Sequence, residues 1–177
     1  MTRRAAIAYT CAIVHAIAIV VMALFLAPGL TGANASEYVA AHRAAWTSSW
    51  LVWQLAAVTL VALYATFSRT AAVIGALGAS IDITSEWHYI LSGPSRGLEI
   101  AVGVFANGFY SAGLLLLLVR RRDLPPLMQR IGWLVVASGF AMSAGSAFSV
   151  PWLEIASTGV LFPLFVIWAI LAARCDA

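Results

Sequence analysis

The sequence contains no lysine: all ten of its basic residues are arginines. Chemistry that needs a lysine Schiff base, as in a retinal pigment or a pyridoxal enzyme, therefore has no attachment point. Its two cysteines, Cys11 and Cys175, are far apart and form no C-x-x-C pair, which excludes a disulfide framework and a thiol oxidoreductase. Charge is scarce as well. Only 10% of the 177 residues are charged, against about a quarter in a soluble domain, and that deficit is too deep for a water-facing surface. The net charge of +3 comes from arginines that flank apolar runs. It reads as a topology signal, and no nucleic-acid partner is expected. The sequence also lacks a phosphate loop, a serine elbow and an H-E-x-x-H zinc motif, and nothing in it calls for a cofactor or a metal.

What is present is apolar: 63% of the residues are hydrophobic and the mean hydropathy is +0.95. Runs of about 20 apolar residues recur, and lipid offers the backbone no hydrogen-bond partners, so continuous runs of this length predict helices. The expected fold is all-α, a single polytopic bundle over residues 1–177 with lipid as its solvent. Six transmembrane helices are predicted at 5–28, 49–67, 71–91, 98–119, 131–150 and 152–173. Pro28-Gly29, Ser92-Gly93-Pro94, Pro125-Pro126 and Pro151 fall at the proposed breaks, where a missing N–H does least harm. The first run carries His15 in its middle and is longer than a signal-peptide core, so it is expected to stay as an uncleaved first helix.

Arginine sets the orientation. With the N-terminus in the cytoplasm, Arg3, Arg4, Arg69, Arg120, Arg121, Arg122, Arg130 and Arg174 lie inside, and only Arg43 and Arg96 lie outside, so both termini are expected to be cytoplasmic. Trp46, Trp50, Trp53, Trp87 and Trp152 then gather near the outer interface. The outer connection 29–48 reads as a short interfacial helix capped by Asn34, with Tyr38, Val39, Ala45 and Trp46 on the membrane and Glu37, His42 and Arg43 in water. A continuous extension of the second span fits the same residues.

Ionisable side chains inside a span cost several kcal/mol on insertion scales, roughly 2.5–3.5 kcal/mol each, so they mark functional candidates. The third span accepts that cost. Asp82 and Glu86 are four residues apart and Tyr89 is seven from Asp82, so all three project from one face, which Gly75 and Gly78 continue. His88 is turned well over 100° away, which argues against a metal site on this helix. Two acids one turn apart cannot both ionise cheaply in a low dielectric, so a shared proton is the expected ground state. The competing reading is that the acids merely hydrogen-bond neighbouring helices. The fourth span presents Glu99, Gly103, Ala106, Tyr110 and Gly113 within about a quadrant, with Asn107 at its edge. Its glycines suit close helix packing as well as a ligand groove. The fifth, with Gly139, Ser143 and Ser146, reads as packing surface. His15 with Cys11 one turn before it reads first as a hydrogen-bonded structural histidine. A bis-histidine haem with His88 fails, because the two depths differ by about 10 Å. Trp46, Trp50 and Trp53 stand at helical spacing with Gln54 beside them; interface anchoring is the plainer reading, and an aromatic ligand wall with Trp53 and Gln54 the sharper one.

The runs Tyr38-Val-Ala-Ala-His-Arg-Ala-Ala-Trp46, Ser49-Trp-Leu-Val-Trp53 and Ile81-Asp-Ile-Thr-Ser-Glu86 resemble a loose group of uncharacterised bacterial multi-pass membrane proteins. That resemblance implies a six-helix protein of the bacterial cytoplasmic (inner) membrane and carries no activity with it. The size, helix count and small-residue series Ala8, Ala12, Ala16 are also similar to the substrate-binding subunits of energy-coupling vitamin importers. Three function classes follow. An outward acidic and aromatic pocket suits small-molecule or proton-linked binding and transport, with Asp82, Glu86, Tyr89, Glu99, Asn107, Tyr110, Trp53, Gln54 and His15 as ligand-binding candidates. The same pocket suits an intramembrane enzyme with Asp82 or Glu86 as general acid on a lipid or isoprenoid substrate. The third class is a non-catalytic accessory subunit whose partner is another membrane subunit or a second copy of the chain.

Overall fold

A computed structural model describes residues 1–31, 34–93 and 95–175; Pro94, one of the expected breaks, and Gly32 and Ala33 of the outer connection lie outside the described residues. The fold is all-helical, with no strand among the described residues. Among the described residues nine α-helices follow one another: α1 (Arg3–Val21), α2 (Ala27–Thr31), α3 (Ala35–Ala41), α4 (Arg43–Phe67), α5 (Arg69–Ser92), α6 (Arg96–Ala101), α7 (Asn107–Arg120), α8 (Pro126–Ala147) and α9 (Pro151–Arg174). A π turn at Met22–Leu26 joins α1 to α2, and another at Val102–Ala106 joins α6 to α7. Six long rods result, and each packs on the next in chain order, with α9 returning to α1. The chain is a closed ring of antiparallel helices.

Among the described residues, four helices are long and apolar enough to cross a membrane: Arg3–Leu30, Arg43–Phe67, Gly97–Arg120 and Pro151–Arg174. The other two rods, α5 and α8, flank α7 in the ring. Their 24 and 22 residues make them about 36 and 33 Å long at 1.5 Å per residue. The outside of the ring is apolar, with Ile13, Leu24, Leu55, Val73, Phe105, Leu134 and Ile155 exposed, as a lipid-facing surface requires.

Local chemistry explains the ends. Thr2 Oγ1 accepts from Ala5 N–H at 3.1 Å and Ser68 Oγ accepts from Ala71 N–H at 3.3 Å, which caps α1 and α5. Pro126 and Pro151 open α8 and α9 in their first turns, where no N–H is needed. Gly93 ends α5 at φ +84°, a backbone conformation that other residues adopt only under strain.

Four expectations need correcting. The chain does not break at Pro28-Gly29: the π turn, in which Ala27 N–H bonds Met22 O, shifts the hydrogen-bond register, and helix continues to Thr31. α8, at the place of the expected fifth span, starts at Pro126, five residues before the expected 131, and ends at Ala147. In the outer connection a short helix, α3, does form, but α4 begins at Arg43, so the second span is also extended. Asn34 sits at the start of α3 and makes no side-chain cap. Finally, Val39, Trp46, Trp50 and Trp53 are buried inside the protein rather than laid on the membrane. Of the five tryptophans expected at the interface, Trp87 and Trp152 are exposed.

The core has two parts. Toward the basic end, Ala8, Leu63, Tyr64, Leu117, Leu118, Met128 and Trp168 form a dry apolar plug. Toward the Arg43 end, Trp46, Trp50, Trp53, Tyr89, Ile90 and Leu26 form an aromatic cluster.

Candidate functional site

The acids of α5 face the interior of the ring, as their shared helix face requires. Glu86 is 2% exposed and Tyr89 3%, while His88 on the other side is exposed. Asp82 is half-buried, and its Oδ2 accepts a hydrogen bond from Tyr110 Oη at 3.0 Å. α5 and α7 thus meet through an acid and a phenol, as the two polar faces predict. Small residues permit the approach: a Cβ on Gly78 would lie 2.8 Å from the Ala106 carbonyl oxygen and 3.1 Å from the Tyr110 ring. Gly75 and Gly113 make room for the Tyr64 ring, each 3.0 Å from where a Cβ would stand. The packing role of these glycines is therefore the observed one.

Tyr110 has a second side. Its ring helps wall a cavity of about 50 Å³ that His15, Asn107, Ser111 and Tyr64 also line, closed by Leu60, Leu114, Val135, Leu161, Phe162 and Phe165. This volume is enough for one or two waters. Tyr64 Oη donates to the Tyr110 carbonyl oxygen at 3.0 Å and fixes that turn of α7. His15 Nδ1 lies 2.9 Å from the Cys11 carbonyl oxygen, so Nδ1 carries the proton and Nε2 is left as an acceptor. The ring leans on Phe165 at 4.6 Å. His15 is thus a hydrogen-bonded buried histidine at the cavity wall. Among the described residues no group of three or more His, Cys, Asp and Glu side chains is placed to hold a metal ion.

Above the cavity, toward the Arg43 end, α4 and α5 are held in register by two bonds. Trp46 Nε1 donates to the Tyr89 carbonyl oxygen and Arg43 Nη2 to that of Ile90, both at 3.1 Å. In antiparallel helices with equal rise this brings Trp50 level with Glu86 and Trp53 level with Asp82. The Trp50 and Tyr89 rings are tilted by 35° with their centres 5.0 Å apart, and Trp53 meets Phe162 edge-on at 5.0 Å. Tyr89 is within electrostatic reach of Glu99, Asp82 and Glu86. Glu99 itself is half-buried on α6. In the outer halves of α4 and α5, Trp50 Nε1, Trp53 Nε1, Gln54 Nε2, Tyr89 Oη and Glu86 Oε2 are all buried without a hydrogen-bond partner among the described residues. A buried polar atom left unpaired costs about 1–3 kcal/mol, and here four donors and one acceptor lie on the two neighbouring helices α4 and α5.

The expected site residues therefore divide by depth. Glu86, Tyr89, Glu99, Trp53 and Gln54 lie on the outer parts of α4, α5 and α6, Asp82 and Tyr110 form the junction, and Asn107 and His15 line the inner cavity. Sequence reasoning missed two residues. Trp50 was assigned to the interface, and Tyr64 drew no attention although both stand on the stripe 50, 53, 57, 60, 64, whose 3–4 residue spacing marks one helix face. Below the cavity the apolar plug separates these groups from the basic end. Comparison with protein-family models, with curated proteins and with solved structures gives no match.

Proposed function

We propose that the chain is a six-span protein of a bacterial inner membrane, with both termini cytoplasmic, that binds a small molecule from the outside and couples its binding and transport to a proton. The observation that carries this reading is the Tyr110–Asp82 hydrogen bond, made by a phenol whose ring lines the inner cavity. It joins an acid, exchangeable with its neighbour Glu86, to a phenol whose ring borders the space beside His15. Acids and donors lie in the outer half and a dry plug lies in the inner half, so access from outside is the supported direction. The arginine split and the length of α5 and α8 support six spans and the cytoplasmic termini. The acids point into the ring and away from the lipid-facing surface, which favours a small molecule over a lipid substrate for an enzyme.

The test is a thermal-shift screen of metabolites, lipids and metals on purified protein, run in parallel on Asp82→Asn. A water-soluble compound that stabilises the wild type and leaves Asp82→Asn unmoved is the expected result. Stabilisation by lipids alone, undiminished in the variant, would overturn the reading.

A further inference from the structure

We propose that the outside of the ring carries a site for one anionic phospholipid, its phosphate held by Arg69 and Arg120 and one acyl chain laid in the groove between α4 and α5. The inference stands apart from the acid site around Asp82. The two helices leave a groove of about 420 Å³, walled by Val58 and Val61 of α4 and by Ala76, Ser80, Ile83 and Thr84 of α5. It opens outward, since Val58, Ser80 and Thr84 are exposed. Its two hydroxyl donors are already used: Ser80 Oγ donates to the Ala76 carbonyl oxygen at 2.8 Å and Thr84 Oγ1 to that of Ser80 at 2.7 Å. Hydroxyls bonded back to their own helix leave an apolar surface, which suits a hydrocarbon chain.

The headgroup follows from what stands at the foot of the groove. Arg69, Val73, Ala76, Ser80 and Thr84 recur at three to four residues, so an exposed arginine lies on the groove's own face of α5. At 1.5 Å per residue the groove runs from about 10 Å to about 22 Å from Arg69 along the helix. Half of a bilayer's hydrocarbon core is about 15 Å deep, so an acyl chain whose phosphate lies at Arg69 reaches into the groove, with exposed Val73 beside its upper part. Arg120 joins from the neighbouring helix. Its Nη1 donates to Thr70 Oγ1 at 3.1 Å, which pins the guanidinium next to residue 69, and it ends the apolar stretch Gly97–Arg120. The surrounding charge has one sign: Arg3, Arg122, Arg130 and Arg174 are exposed at the same end, and Asp123, the one acid there among the described residues, is taken by the fork of Arg121. Arginines at a bilayer edge attract anionic lipids. At the other end of α5, Arg43 is turned to the Ile90 carbonyl oxygen, so the phosphate belongs at Arg69.

Native mass spectrometry of the full-length protein in detergent tests this, with phosphatidylglycerol, phosphatidylcholine of the same chains, and glycerol 3-phosphate as probes. Phosphatidylglycerol is expected to give one tight adduct, phosphatidylcholine a weaker one, and glycerol 3-phosphate, which lacks the chains, none. Arg69→Gln/Arg120→Gln should weaken the phosphatidylglycerol adduct roughly thirty-fold, the value for two arginines at a membrane surface. Arg130→Gln/Arg174→Gln removes the same charge from α8 and α9 and should leave the adduct nearly unchanged. Ser80→Phe fills the groove and should weaken both lipids, with Thr84→Phe as a second filling variant; a thermal unfolding transition checks that each variant is folded. Equal binding of the two lipids, equal loss in the two arginine pairs, equal binding of glycerol 3-phosphate, or an adduct undiminished in the filled groove would overturn the proposal. So would a dimer that excludes the lipid and is split by Ser80→Phe, which would assign the groove to a second copy of the chain. Asp82→Asn should keep the adduct, so failure of the acid site and failure of the lipid site are read separately.

Discussion

At the residue scale the molecule concentrates its polar chemistry in very few side chains, so single substitutions are informative. Tyr110→Phe removes the donor to Asp82 and keeps the ring that walls the cavity. Hydrogen bonds in membrane bundles are worth about 0.6 kcal/mol on average and seldom above about 1.7 kcal/mol, so this variant should lose about 0.5–1.5 kcal/mol in a detergent unfolding titration. A loss near zero would mean that the bond is not formed. At the basic end, Arg121 Nε and Nη2 donate to the two oxygens of Asp123 at 2.8 and 2.7 Å. This fork holds the Asp123 carboxyl below the usual aspartate range. The folded state therefore favours the ionised form, so the pair's contribution is present above the ordinary value of about 4 and fades as pH falls through the lower one. A carboxyl-carbon NMR titration should show Asp123 titrating below that value, and Arg121→Ala should raise the midpoint. Because Asp123 is exposed, little overall stability rides on it.

At the element scale the packing of α5 on α7 decides whether Asp82 and Tyr110 can meet. Gly78 has the Ala106 carbonyl oxygen 2.8 Å from its would-be Cβ, whereas Gly159 in α9 has nothing within 4 Å. Gly78→Ala should therefore push the helices apart and destabilise by about 1–3 kcal/mol, while Gly159→Ala should be neutral or stabilise by about 0.5–1 kcal/mol. Thermal unfolding of the two variants side by side checks the contrast. The same elements show what a sequence can reveal in lipid. On α5 and α7 the inward face was legible, because a carboxyl or amide is tolerated only where the bundle covers it. On α4 it was not. Lipid is as apolar as the core, so a spanning helix need not carry the one-sided apolar stripe that marks burial in water. Trp50 and Trp53 suit a membrane interface and a protein interior equally well by type, and only the register with α5 places them level with Glu86 and Asp82. The early start of α8 at Pro126 was hidden for a related reason: Leu127, Gln129 and Arg130 interrupt no pattern, and the first turn of a helix leaves little mark on hydropathy.

At the scale of the whole molecule, six rods closed into a ring give an apolar outside, an aromatic outer cluster, a cavity at mid-height and a plug above the arginine-rich end. Reporter fusions should place the C-terminus in the cytoplasm and the segment around Arg43 outside; an external C-terminus would refute the six-span topology. The central claim is that Asp82 and Glu86 form an enclosed pair that carries a proton and can be reached from the bilayer or the outside. It is tested most directly with dicyclohexylcarbodiimide, an apolar reagent that adds to protonated carboxyl groups in low-dielectric surroundings. Membranes would be treated at neutral pH and the adduct located by mass spectrometry. The account predicts modification at Asp82 or Glu86, lost in the double variant Asp82→Asn/Glu86→Gln, with the exposed Glu37 unmodified. A protein that remains unlabelled at both positions, or labelled at Glu37 alone, would contradict it.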